Sequence, residues 1–423
     1  MSDPEQMERE EAAGRAESAG RAESRPALAL ALICTVGFLV LAWAAVPWDP
    51  VPGGRVEPVA ATDVFTAKQI AAGEAYSRVA RWLGWIGLAI SLATTCLVGF
   101  TRWGARLVSR VPGPWWVQAL AGVLLVHLLV RWLTLPISGL AHRHRLEHGL
   151  STQGWAAWAR DVVVSELISV VVTWLALLVV IGCARRWRVW WTWLAGGAVA
   201  ALVVLGSFVY PVLVEPLFNS FEPLADGPLR TEIFELADRE GVVIEDVLVA
   251  DASRRTTTLN AYVSGLWGSR RVVVYDTLVE DLPQDQALSV VAHELAHARH
   301  DDVLLGTGLG ALGSALGVAA LGLLLGQRAA DASSVPRILA LVAVATLMTA
   351  PVESGISRRI ETRADVDALT ATRDAEAFER MQVRLAVRAL ADPTPPRWAQ
   401  IWWGSHPATL ERIGVARQLE PGQ

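Results

Sequence analysis

The chain is poor in the residues that staple a fold or name a partner by charge. Its three cysteines, Cys34, Cys96 and Cys183, fall in or beside apolar stretches, and none has CxxC spacing. That excludes a disulfide framework and a cysteine-ligated zinc site. Lysine is almost absent: Lys68 is the only one, and arginine supplies the remaining basic charge. With heavy use of Ala and Val, this points to a GC-rich bacterial genome. A net charge of −5 is too small to indicate a nucleic-acid partner. Charged residues make up only 19% of the chain against 53% hydrophobic, and mean hydropathy is +0.37, which excludes an ordinary soluble protein. No internal repeat is visible.

What is abundant is apolar sequence in spanning lengths. Seven stretches qualify, at about 27–47, 81–101, 115–135, 162–182, 189–211, 303–326 and 337–354. The first is too long for the apolar region of a signal peptide and has further spans after it, so it reads as retained. Span 303–326 is rich in Gly, Ala and Leu, a composition that lets helices approach closely. The last is the least apolar. Tryptophans cluster near span ends, at Trp115-Trp116, at Trp187, Trp190, Trp191 and Trp193, and at Trp402-Trp403, where they suit the membrane interface. His127, Arg131, Glu166 and Thr173 lie inside spans and are costly facing lipid.

The rest divides into a tail and two polar blocks. Residues 1–25 are Glu, Arg, Ala, Gly and Ser with almost no large apolar side chain, the composition of a disordered tail. Residues 26–212 form a five-span membrane region, 213–302 a first polar block, 303–354 two more spans, and 355–423 a second polar block. In the first block, 227–241 reads as an amphipathic helix stopped by Gly241. Short β-forming runs at 247–249, 261–263 and 272–275 read as a small antiparallel sheet. In the second, helices are expected at 357–371, at 375–391 and after Ser405-His406-Pro407, with a break at PTPP (393–396). HRHRLEHG (142–149) reads as a solvated basic loop.

One motif carries chemistry. His293-Glu294-Leu295-Ala296-His297 sits in a run that reads as a helix over about 284–300. Residues four apart share a helix face, so two imidazoles can bind one Zn²⁺ and the glutamate between them can take a proton from its water. A catalytic zinc keeps three protein ligands and one open position. The residues leave three candidates for the third: Glu361, with Asp365 one turn on; Glu353; and His300, although one helix seldom offers three ligands in tetrahedral geometry. A carboxylate one turn from a ligand can also fix a histidine through its far nitrogen.

Four motifs in order then resemble a known family: Asn260-Ala261-Tyr262, VVAHELAH at 290–297, SRRIETRAD at 357–365 and SHPATLERI at 405–413. They are similar to those of the type I CAAX prenyl endopeptidases, the Ste24-like membrane zinc peptidases, and more distantly to the HtpX-like peptidases. The resemblance implies a mainly α polytopic membrane protein of about seven transmembrane helices around a chamber, with a gluzincin-type core containing a small antiparallel sheet. It implies one Zn²⁺ per chain, held by His293, His297 and Glu361, with Glu294 as general base. Asp365 would hydrogen-bond a ligand histidine, and His406 and Arg412 would face the site, His406 as an oxyanion donor. Asn260, Ala261 and Tyr262 would align a peptide or protein substrate on an edge strand. The eukaryotic members cleave prenylated CAAX tails; a bacterial chain would act on membrane-associated or misfolded polypeptides.

Orientation divides the signals. Arg102, Arg106 and Arg110, and Arg185, Arg186 and Arg188, follow the second and fourth spans, and if those loops are cytoplasmic the zinc block lies outside. The family relationship implies the opposite, a plasma-membrane protein with its active site facing the cytoplasm, and that reading is adopted. Two other classes stay open at this point: a non-catalytic membrane chaperone or scaffold retaining the site, and a transporter.

Overall fold

The computed structural model describes residues 4–54, 56–265 and 267–420. Seven of its helices are long and apolar enough to cross a membrane. They lie in α1 (Pro4–Ala45), α2 (Ala67–Phe100), α4 (Trp115–Glu147), α5 (Trp155–Arg186), α6 (Trp191–Val209), α9 (Asp302–Leu325) and α10 (Val335–Thr372). A short helix, α3 (Arg102–Ser109), follows α2 after Thr101 alone. The peptidase-like block adds α7 (Pro228–Glu240), α8 (Gln284–Arg299), α11 (Ala375–Arg388), α12 (Arg397–Trp403) and α13 (Thr409–Leu419).

The spans carry apolar residues outward as well as inward, as lipid-facing helices must: Trp43 and Trp132 are each 78% exposed. Small residues set the closest approaches. A methyl on Gly99 of α2 would lie 2.4 Å from the Pro336 carbonyl oxygen and 2.5 Å from the Ala340 Cβ of α10. Helices α2, α4, α5 and α10 line an open cavity of about 740 Å³. His127 Nδ1 and Arg131 reach Glu166 there at 3.0 and 2.7 Å, so three of the four costly intramembrane residues pair across α4 and α5. Thr173 does not line that cavity.

Several expectations change. The tail 1–25 is not left unstructured: residues 4–25 continue α1 upstream, because Glu, Arg and Ala are strong helix formers and the apolar part has already nucleated the helix; residues 1–3 lie outside the described ones. The loop 142–149 is largely the end of α4, with His142 buried against Trp158 and His144 stacked on Tyr76. The boundary at 354/355 falls inside α10, a continuous helix of 38 residues. At 1.5 Å per residue it is about 57 Å long, far more than the roughly 30 Å of a hydrocarbon core, so its C-terminal half projects beyond the membrane. Trp402 and Trp403 pin α12 to the spans rather than only marking an interface: Trp402 Nε1 donates to Leu347 O at 3.0 Å, and Trp403 packs near Trp85.

The sheet is mixed, not antiparallel. Its strands are β1 (Phe221–Pro223), β2 (Asp246–Ala250), β3 (Ala261–Ser264) and β4 (Arg271–Tyr275), in the order β1-β2-β4-β3. β4 returns from a hairpin with β3 and inserts beside β2, running parallel to it, while β1 and β3 flank the pair antiparallel. The reason is connectivity: the segment after β2 carries the chain to the far edge before the hairpin turns back. α7 ends as expected at Gly241, whose φ of 69° is readily adopted only without a side chain. Ile233, Leu236, Val247, Val272, Val274, Val291, Leu295 and Phe378 form the core beneath the sheet and α8.

Substituting Gly99 by Ala should lower the thermal midpoint of the detergent-solubilised protein by roughly 2–6 °C through overpacking. Gly84→Ala, where an added methyl meets nothing within 4 Å, should leave it unchanged.

Candidate active site

α8 starts after Pro283, whose fixed φ suits a helix entry, and carries Asp285 in its first turn, where the helix dipole favours an acid. Ala287, Val291 and Leu295 bury one side of it completely. That fixes its rotation and turns His293 and His297 to the opposite side, with Glu294 at the border between the two faces. α10 packs along α8 and brings Glu361 and Asp365, one turn apart, to the same place. α13 supplies Arg412, and the segment before it His406.

Three donor residues converge. His293 Nε2 lies 3.2 Å from His297 Nε2 and 3.2 Å from Glu361 Oε2, and His297 Nε2 lies 3.6 Å from Glu361 Oε1. A tetrahedral zinc with bonds of about 2.05 Å has ligand-to-ligand edges of about 3.3 Å; the two edges that meet at His293 Nε2 have that spacing, and Glu361 turns its other oxygen to His297. The second ring nitrogens reinforce it. His293 Nδ1 meets Asp365 Oδ1 at 2.9 Å, and His297 Nδ1 meets Asp302 Oδ2 at 2.9 Å. Each Nδ1–H donates to a carboxylate, which leaves both Nε2 lone pairs facing each other and an acidic oxygen. Such an arrangement repels itself unless a cation or proton sits between. His293, Glu361 and His297 thus fit a divalent metal with an N, N, O preference.

The braces are themselves held. Asp365 is fully buried and receives two bonds from Arg412, Nε at 2.8 Å and Nη2 at 2.5 Å. Losing either partner leaves a buried charge unpaired, at a cost of about 3–5 kcal/mol. Asp302 is paired with Arg363, which stands on α10 between Glu361 and Asp365. Burial pushes the His293 pKa down, but hydrogen bonds to Asp365 and Glu361 outweigh it and hold the imidazole at about 9. Burial raises the Glu294 carboxyl above its usual range. Glu294 has no hydrogen bond or ion pair among the described residues, so its carboxylate is uncommitted.

Each expected residue can now be placed. His293, His297, Glu361 and Asp365 come together as the motif spacing suggests. His406 joins them, exposed, with Nε2 3.2 Å from Glu361 Oε2. Arg412 reaches the cluster from behind, spent on Asp365 rather than directed at the open side. Ala261 and Tyr262 belong to β3, the edge strand, which packs beside α8, and Asn260 directly precedes it; the Asn260 carbonyl accepts from Tyr275 N on the sheet side, and Tyr262 Oη donates to Glu215 at 3.4 Å. Two candidates for the third ligand lie elsewhere. His300 pairs with Asp367 at 2.7 Å, and Glu353 is exposed more than two turns before Glu361.

Sequence reasoning missed Asp302 and Arg363. Asp302 stands five residues past His297 and begins the next helix. It can turn back only because Asp301 adopts φ 53°, ψ 39°, a left-handed conformation uncommon outside glycine, held by an ion pair with Arg270. An acid directly after the motif helix was the available signal.

Comparison with known proteins accords with this geometry. The family described as "Peptidase family M48" matches residues 223–420, and "CAAX prenyl protease N-terminal, five membrane helices" matches 54–220. The chain belongs to peptidase family M48. This M48 chain is 28% identical to the uncharacterized metalloprotease YhfN of Bacillus subtilis over 88% of its length and 90% of that protein's. It is 24% identical to the human CAAX prenyl protease 1 homolog over 72% of its length and 74% of that protein's. The crystal structure of S. mikatae Ste24p superposes with a TM-score of 0.76 at 20% identity, covering 92% of this chain and 99% of that one, which shows a shared fold. The M48 chain is therefore a multi-pass membrane metalloprotease by family and architecture.

Two outcomes follow for metal binding, measured by competition with a chromogenic chelator. Glu361→Ala, Asp365→Ala and Asp302→Ala should each weaken zinc affinity by about 10–100-fold, while His300→Ala and Glu353→Ala leave it unchanged. Below pH about 9 the metal must also displace the His293 proton. Apparent affinity should therefore rise about tenfold per pH unit from pH 7 and level off above 9.

Proposed function

We propose that this protein is a zinc-dependent endopeptidase of the bacterial plasma membrane that hydrolyses peptide bonds of membrane-associated or misfolded polypeptides. The observation that carries the reading is the uncommitted Glu294 carboxylate beside three convergent donors whose histidine tautomers are already fixed. His293, His297 and Glu361 would hold one Zn²⁺, which when bound lowers the pKa of a water and polarises a carbonyl.

The chain's own groups do the rest. Glu294 takes the proton of the attacking water and returns it to the departing amine; its burial-raised pKa suits both halves of that exchange. No covalent link to the protein forms. His406, on the open side of Glu361, is the donor available to the carbonyl oxygen as charge develops there. Arg412 acts through Asp365, keeping His293 in the tautomer that presents Nε2. The free edge of β3, at Asn260, Ala261 and Tyr262, would receive an extended substrate by backbone hydrogen bonds, a mode that tolerates many side chains. Several relatives are named CAAX prenyl proteases, and that likeness supports a substrate anchored in the membrane. The site is assigned to the cytoplasmic face, as the family relationship implies.

The deciding experiment is cleavage of an unstructured reporter peptide by the detergent-purified protein, with bound zinc quantified. Wild type should cleave and Glu294→Gln should lose at least 10³-fold in rate while keeping its zinc. A chelator should abolish wild-type cleavage and added zinc should restore it. Cleavage by Glu294→Gln at the wild-type rate would overturn the mechanism. Zinc in both proteins with cleavage in neither, even from a lipid bilayer, would favour a scaffold.

A further inference from the structure

At the other end of the spans lies a second polar recess. A cavity of about 400 Å³ opens where α2 passes into α3 and where α9 turns into α10. Its lining includes Arg102, Arg106, Ser109, Arg328, Asp331 and Arg337. From Arg337 to Glu361 is 24 residues of one helix, about 36 Å, so the recess lies across the bilayer from the metal donors.

Its charge is uncompensated. None of the four guanidinium groups makes a hydrogen bond or ion pair among the described residues. In the peptidase block, by contrast, Arg230, Arg363, Arg412 and Arg417 each engage a carboxylate. Asp331 does not neutralise the cluster through a direct pair; its carboxylate caps a turn by accepting from Ser333 N at 2.9 Å. Four like charges around one small recess repel each other, and a bound anion relieves that repulsion.

The surroundings select the kind of anion. The recess sits at headgroup level, directly beyond the apolar end of α2. Leu97, Phe100 and Trp103 beside it are 64%, 49% and 50% exposed. A ligand with a phosphate to meet the arginines and hydrocarbon chains to cover these side chains satisfies both surfaces; a soluble phosphate satisfies only one. We propose that this recess binds the headgroup phosphate of an anionic glycerophospholipid, which joins α3 to the start of α10.

The test titrates the full-length protein in mild detergent with phosphatidylglycerol, phosphatidylcholine or inorganic phosphate and counts bound ligand by native mass spectrometry. Phosphatidylglycerol should be retained and phosphatidylcholine should not. The combined Arg102→Gln, Arg106→Gln, Arg328→Gln variant should bind phosphatidylglycerol at least tenfold more weakly. Ser109→Glu, an exposed single change that leaves every arginine in place, should also weaken binding severalfold if the combined variant proves unstable. Equal retention of both lipids, or wild-type binding by both variants, would overturn the site. Displacement of phosphatidylglycerol by low-millimolar inorganic phosphate would overturn the lipid assignment in favour of a soluble phosphorylated ligand.

Discussion

Two buried carboxylates aimed at the backs of two imidazoles organise this molecule. Asp365 holds His293 and Asp302 holds His297, and each is in turn held by an arginine from another place in the chain, Arg412 and Arg363. Either carboxylate alone would be expensive to bury; with its arginine and its histidine it is satisfied on several sides. The cost of breaking these pairs is what keeps the Nε2 atoms convergent. It also ties α8, α9, α10 and α13 into one unit, so the donor cluster and the packing of the soluble block stand or fall together.

The membrane helices share in that unit through α10. One half of this helix packs in the bilayer against α2, with Gly99 permitting the approach. The other half carries Glu361, Arg363 and Asp365 to α8. A tilt or shift of the span therefore moves Glu361 against the two histidines. The cavity between α2, α4, α5 and α10 flanks the same helix, and the arginine recess sits at its beginning.

Much of this was legible from residues. Apolar runs of sufficient length located seven spans, because a bilayer imposes a minimum length that chance rarely meets. The i, i+4 histidines located one side of the cluster, since a helix fixes which residues share a face. Glu361 and Asp365 were legible as a pair one turn apart, but the residues alone left Glu353 and His300 in competition. Asp302 was hidden by a left-handed residue that no propensity argument anticipates. The mixed order of the sheet was hidden because strand propensity says nothing about which neighbour a strand chooses. Helicity in residues 4–25 was misjudged because low apolar content argues against a packed core, not against continuation of an existing helix.

The sequence by itself determined that the chain lives in a membrane and carries a metal-type motif, because both depend on local periodicity and length. Tertiary structure alone decided which carboxylates meet those histidines and which way Arg412 faces. It also decided that two pairs of arginines far apart in the chain, Arg102 with Arg106 and Arg328 with Arg337, share one recess. These are matters of distance between segments far apart in the chain, set by packing of α8, α10 and α13 and by the crossing of α2 with α10, and no local rule encodes them.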